Sequence, residues 1–126
     1  MSDQVSLKEL RHMQQIFAKN STWIEKFSPA WAEESQWYLC AVIATDRDKA
    51  REFMKSKGAV NAESRRDQEI WVTSDNSRWL WRPWDKLSTV RGYKFHKVAV
   101  DHCISKEIFD LAVHLWTPYC VEMEIF

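Results

Sequence analysis

The stretch "WYLCAVIAT", residues 37–45, is an unbroken apolar run that is too short for a good helix and rich in strand-forming side chains. Such a run describes a strand buried on both faces, as in a parallel sheet covered by helices. A second run, "FHKVAVD" at 95–101, has the same character. Between them "EIWVTS" and "RWLWR" flank Asp75-Asn76-Ser77, which predicts a hairpin. Pro83 ends that hairpin, because proline has no amide hydrogen to give to a ladder. The final "YCVEMEIF" alternates like an edge strand.

Helical signals fill the remaining spaces. Ser6 and Glu9 have capping-box spacing, and Leu7, Leu10, Met13 or Gln14, and Phe17 recur on one face. They predict a first helix over 6–20, interrupted by Asn20-Ser21-Thr22. Ser28-Pro29 restarts a short helix with proline at its first position. Thr45-Asp46 caps a helix that runs through Phe53 and Met54, and Gly58 sits where a left-handed end belongs. Asp85 to Val90 reads as a helical turn closed by Gly92. Ser105 caps an amphipathic helix with Ile108, Leu111, Ala112 and Leu115 on one face, stopped by Thr117-Pro118. The order is N-terminal helices over 1–36 and then β-α-β-β-β-α-β over 37–126. It predicts a single α/β domain, a three-layer sandwich around a mixed sheet of about five strands.

Composition removes several function classes. The chain of 126 residues has only two glycines, Gly58 and Gly92, and they stand apart. Phosphate-cradling loops need glycine so that backbone amides can approach the ligand, so neither a phosphate loop nor a dinucleotide fingerprint is formed. No run of about 18 apolar residues offers a membrane span. The opening "MSDQVSLKEL" lacks the basic-then-apolar order of a signal peptide. Three cysteines without CxxC spacing point to reduced thiols. The expected compartment is cytoplasmic, and no cofactor or resident metal is expected.

Charge is zero overall but unevenly spread. Residues 78–97 carry Arg78, Arg82, Lys86, Arg91, Lys94 and Lys97 against Asp85, a balance of plus five. Residues 98–126 carry Asp101, Glu107, Asp110, Glu122 and Glu124 against Lys106, a balance of minus four. Such asymmetry suggests either a basic patch for an anionic partner or two faces that keep the domain soluble.

The basic segment opens with "RWLWRPW", where three of the chain's eight tryptophans are interleaved with arginine. In a strand Trp79 and Trp81 share one face, while Arg78, Leu80 and Arg82 take the other. Tryptophan and arginine together suit two tasks. They stack bases and hold phosphates of single-stranded nucleic acid, and they dominate protein–protein hot spots. The plain structural alternative is that Trp79 and Trp81 cover the core and the arginines are solvated. The binding residues expected here are Arg78, Trp79, Trp81, Arg82, Trp84, Lys86 and Arg91.

A second set comprises His96, Asp101, His102, Cys103 and Glu107. These are metal-ligand types, but structural sites need about four convergent ligands, and strand alternation would send Asp101 and His102 apart. Asp46, Asp48 and Asp101 would converge on a nuclease-type cation if the two apolar strands are neighbours. Asp46 and Asp48 equally suit a helix start. Cys40, Cys103 and Cys120 read as buried or strand-end thiols. No nucleophile elbow or Ser-His-Asp order supports a hydrolase.

"RGYKFHKVAVDHC", residues 91–103, resembles the surroundings of the Walker B strand in P-loop helicases and terminases. There an arginine-glycine turn precedes an apolar strand ending in aspartate. "YLCAVIATDRDKAREF" is likewise similar to an early strand-helix unit of such domains. The resemblance covers about half of the chain, lacks the phosphate loop, and has His102 where an acid commonly follows the aspartate. It implies a cut-down relative that has lost ATP hydrolysis, with Asp101 at the magnesium-holding position.

These features lead to a non-catalytic binding protein that uses the basic, tryptophan-rich surface for a protein partner. Small glycine-poor chains of this kind are common among viral accessory and inhibitor proteins, which is an analogy only. Nucleic-acid binding is the first alternative. A metal-dependent nuclease or degenerate P-loop NTPase is the second.

Overall fold

The computed structural model describes residues 4–27, 38–83, 95–116, 120 and 122–126. Helix α1 (Leu7–Phe27) comes first, followed by β1 (Tyr38–Ile43) and α2 (Arg47–Ser56). An antiparallel meander of β2 (Val60–Arg65), β3 (Gln68–Val72) and β4 (Ser77–Trp81) comes next. The chain ends in β5 (Lys97–Val100), α3 (Lys106–Trp116) and β6 (Glu122–Ile125). The six strands form one mixed sheet in the order β2-β3-β4-β1-β5-β6. Strands β4, β1, β5 and β6 are mutually parallel.

Alternation along the strands divides the interior into two layers. Ala41, Ile43, Ile70, Leu80, Val98, Val100 and Met123 face α1 and α3, meeting Leu10, Phe17 and Phe109. Cys40, Val42, Trp71, Trp79, Trp81 and Ala99 face α2, meeting Ala50, Phe53 and Met54. Helices therefore cover both faces, as the predicted three-layer α/β sandwich requires. Among the described residues no helix is long and apolar enough to cross a membrane.

The helix starts follow their capping residues. The Ser6 hydroxyl accepts from the Glu9 amide at 3.1 Å, Asp46 accepts from the Lys49 amide at 2.9 Å, and Ser105 accepts from the Ile108 amide at 3.3 Å. Gly58, just beyond α2, has φ +77°, the left-handed conformation that glycine adopts without a steric cost.

Three local expectations change. Helix α1 continues through Asn20-Ser21-Thr22 to Phe27. These residues are weak helix formers rather than breakers, and tertiary packing of an amphipathic face outweighs propensity. The sheet has a sixth strand, β2, because "VNAESR" carries no apolar alternation to reveal it. It forms an edge whose backbone pairs with β3, with Val60 62% exposed. The hairpin turn lies one or two residues earlier than predicted: Thr73 donates to Ser77 O at 3.0 Å, and Asn76 takes φ 66°. Asp75 fastens this turn by accepting from the Ser77 amide at 3.1 Å and from the Thr73 hydroxyl. The predicted helical pieces at 28–36 and 85–92 lie outside the described residues.

Candidate functional site

Strands β1 and β5 are neighbours, yet the chain leaves them toward opposite faces of the sheet. From β1 it enters α2, on the tryptophan face; from β5 it enters α3, on the other. That divergence makes a topological switch point, and open α/β sheets bind ligands in the crevice beyond the carboxyl ends of such strands. Thr45, Asp46 and Lys49 follow β1 there, and Asp101, His102 and Cys103 follow β5.

Asp101 is 0% exposed. Its Oδ2 accepts from the Thr45 amide at 3.2 Å and the Thr45 hydroxyl at 3.1 Å. Its Oδ1 accepts from the Cys103 amide at 2.9 Å and from Lys49 Nζ at 3.4 Å. Burial alone would push the carboxyl up, but these donors and the Lys49 charge outweigh it and hold Asp101 below the ordinary carboxylate value. The Asp101 charge in turn raises the Lys49 ammonium. One carboxylate thus ties the ends of two strands and the first turn of α2 together.

Arginines surround this end of the sheet. Arg47 lies over the Trp81 ring at 5.1 Å and donates to the carbonyls of Arg65 and Arg66 at 2.6 and 2.5 Å. Arg82 donates from Nε and Nη2 to Gln68 Oε1 at 3.0 and 2.7 Å. Among the described residues neither Arg47 nor Arg66 meets a carboxylate at ion-pair distance. Beneath α2, Arg51 pairs with the fully buried Glu69 at 2.5 Å.

The sheet divides the sequence-predicted binding set. Trp79 and Trp81 are 4% and 5% exposed under α2, so they are core and offer no free face for stacking a base. Arg78 is exposed and Arg82 half-buried, and alternation turns both to the opposite side. Trp84, Lys86 and Arg91 lie outside the described residues. Lys97, counted in the basic band, is bound to the acidic segment instead: its Nζ lies 2.9 Å from Glu124 and 3.2 Å from Glu122 across the parallel pair β5–β6.

The metal-type set is also rearranged. His96 sits at the amino end of β5, where its Nδ1 accepts from the Leu39 amide at 3.0 Å and its ring stacks on Tyr38 at 4.8 Å. Asp46 is the cap of α2, and Asp48 is exposed in its first turn. Asp101, His102 and Cys103 do converge, because β5 ends at Val100 and the turn that follows breaks the alternation expected to separate them. Cys40 and Cys120 are buried, and burial pushes the Cys40 thiol up to about 12; Cys103 is exposed. Sequence reasoning missed Thr45, Arg47, Lys49 and Arg66. For the first three the available signal was "TDRDK" directly after an apolar strand, the position where the switch point gathers its side chains; Arg66, in the turn between β2 and β3, had none.

A concavity of about 470 Å³ opens at the amino ends of the strands, lined by Tyr38, Lys57, Ser77, Trp79, Lys97 and Glu122 among others. Its charges satisfy one another, since Lys57 pairs with Glu124 at 2.5 Å and the Tyr38 hydroxyl donates to Glu122 at 3.2 Å. No family model, curated protein or solved structure matches this chain.

Proposed function

We propose that the protein is a non-catalytic binding protein whose arginine-bearing surface docks on an acidic surface of a protein partner. The observation that carries this proposal is the separation of "RWLWR" by the sheet. Its tryptophans are buried beneath α2, while on the other face Arg78 is exposed and Arg82 half-buried. Single-stranded nucleic acid is held by stacking as well as charge, and Trp79 and Trp81 supply no stacking platform. Arg47 and Arg66 are the sequence neighbours of Asp46, Asp48 and Asp67, all three exposed, which suits a patterned protein surface better than a uniform polyphosphate. Occupying a partner's surface is the accessory or inhibitor role expected of such a chain.

The Walker B likeness enters this proposal as that of a cut-down relative without ATP hydrolysis. Asp101, the residue such chemistry would use, has both oxygens engaged by protein donors and serves as a strut.

The test pairs two experiments. Tryptophan fluorescence is titrated with single-stranded DNA, duplex DNA and RNA at two salt concentrations. Affinity capture from the source cell then compares the wild-type chain with Arg66→Glu/Arg82→Glu. The expected result is no quenching by any polymer, and a captured protein that the double variant loses. Quenching that weakens steeply with salt would instead establish phosphate contacts and overturn the protein-partner reading.

A further inference from the structure

We propose that Asp101, His102 and Cys103 bind one divalent transition-metal ion of the zinc type, at a position that the Lys49 ammonium holds in the metal-free chain.

The turn after β5 is what assembles these donors. Cys103 N donates to Asp101 Oδ1 at 2.9 Å, Ile104 N donates to Asp101 O at 3.2 Å, and His102 N donates to Phe126 O at 2.8 Å. The chain therefore folds back on its own aspartate. A carboxylate oxygen, a ring nitrogen and a thiol sulfur come to lie within 4.8 Å of one another. Ligands that sit ~2.0–2.3 Å from one zinc ion are at most about 4.6 Å apart. The remaining closure is a small rotation of His102 and Cys103, both exposed. Sulfur, nitrogen and oxygen donors together favour zinc or cobalt over magnesium or calcium, which take oxygen alone. Three protein ligands leave the fourth position toward solvent.

Lys49 is the second observation. Its Nζ lies 3.4 Å from Asp101 Oδ1. A positive charge already stands beside one of the three donors, which marks the point where the cluster favours a cation. The lysine side chain is 40% exposed on a flexible stem, so it can withdraw into water when a metal enters. The His102 ring is held by Phe126 O, 2.6 Å from its Nδ1, the kind of carbonyl partner that orients metal-ligating histidines.

The deciding experiment titrates the chelator-treated full chain with cobalt and follows its absorption. A thiolate-to-cobalt charge-transfer band should rise to one equivalent and be bleached by one equivalent of zinc. Cys103→Ser should remove the band, and His102→Ala should weaken binding at least about tenfold. Lys49→Ala should tighten binding, because it removes the competing cation. Both ligand substitutions fall on exposed residues, so the fold is retained even where Asp101→Asn unfolds the chain. Absence of the band at millimolar cobalt, or a band that survives Cys103→Ser, overturns the site. Unchanged or weaker binding in Lys49→Ala overturns the placeholder role of the lysine.

Discussion

The two ends of the parallel strands gather charge in different ways. At the amino end Lys97 is bound by Glu122 and Glu124, Lys57 by Glu124, and the Tyr38 hydroxyl closes on Glu122. At the carboxyl end Asp101 is held by Thr45, Cys103 and Lys49, while Arg47 and Arg66 meet no carboxylate among the described residues and His102 and Cys103 are exposed. One end is neutralised and the other keeps unspent chemistry. The difference teaches that a charged sequence window becomes a charged surface only when the neighbouring strand does not supply the counter-charge. Strand β6 supplies it to β5 at Lys97, whereas Arg47 at the start of α2 meets no carboxylate among the described residues.

The largest expected effect tests what both ends share. Trp79→Ala should cost about 3–5 kcal/mol in urea denaturation, because it opens a cavity under α2 against Phe53, whose ring lies 5.5 Å away edge-on. A loss below about 1 kcal/mol would mean that the tryptophans are not core.

Asp101→Ala separates the ends. It leaves the Thr45 and Cys103 amides without their acceptor and should cost about 2–4 kcal/mol. Glu122→Gln, on an exposed residue at the amino end, should cost less than about 1 kcal/mol. Equal losses would remove the distinction between strut and surface pair.

A pH series sharpens the amino end. Burial holds the His96 ring below its ordinary value, and its Nδ1 lone pair accepts from Leu39 N, so the folded ring is neutral. The unfolded ring gains a proton near about pH 6.5, where the folded ring does not. The stability that His96 contributes is therefore fully present above that pH and declines as the pH falls toward the lowered folded value. Denaturation midpoints measured from pH 8 to 5 should show this decline, and His96→Gln should flatten it.

The fold was legible where burial wrote itself into the residues. "YLCAVI" and "KVAV" became adjacent parallel strands because two-sided burial demands unbroken apolar side chains. Strand β2 was illegible for the complementary reason: an exposed edge is held by backbone pairing, which leaves "VNAESR" looking like a loop. The candidate site was half legible. Asp101 at a strand end was visible as a position, but its partners Thr45 and Lys49 are 56 and 52 residues away in sequence. Only the strand order brings them together. The division of "RWLWR" between two faces was readable from alternation, whereas which face α2 would cover was not.

The smallest structural effect carries the most direct test. Arg66→Glu, on an exposed residue, should change stability by roughly 0.5 kcal/mol or less, and Arg82→Glu and Lys57→Glu, which give up the Gln68 hydrogen bonds and the Glu124 pair, by about 1 kcal/mol each. Their effect on a captured partner should differ sharply. The measurement is the dissociation constant of that partner for the two variants beside the wild-type chain. A loss confined to the arginine pair supports the carboxyl end as the working surface. A loss confined to Lys57→Glu, or no loss in either, contradicts it.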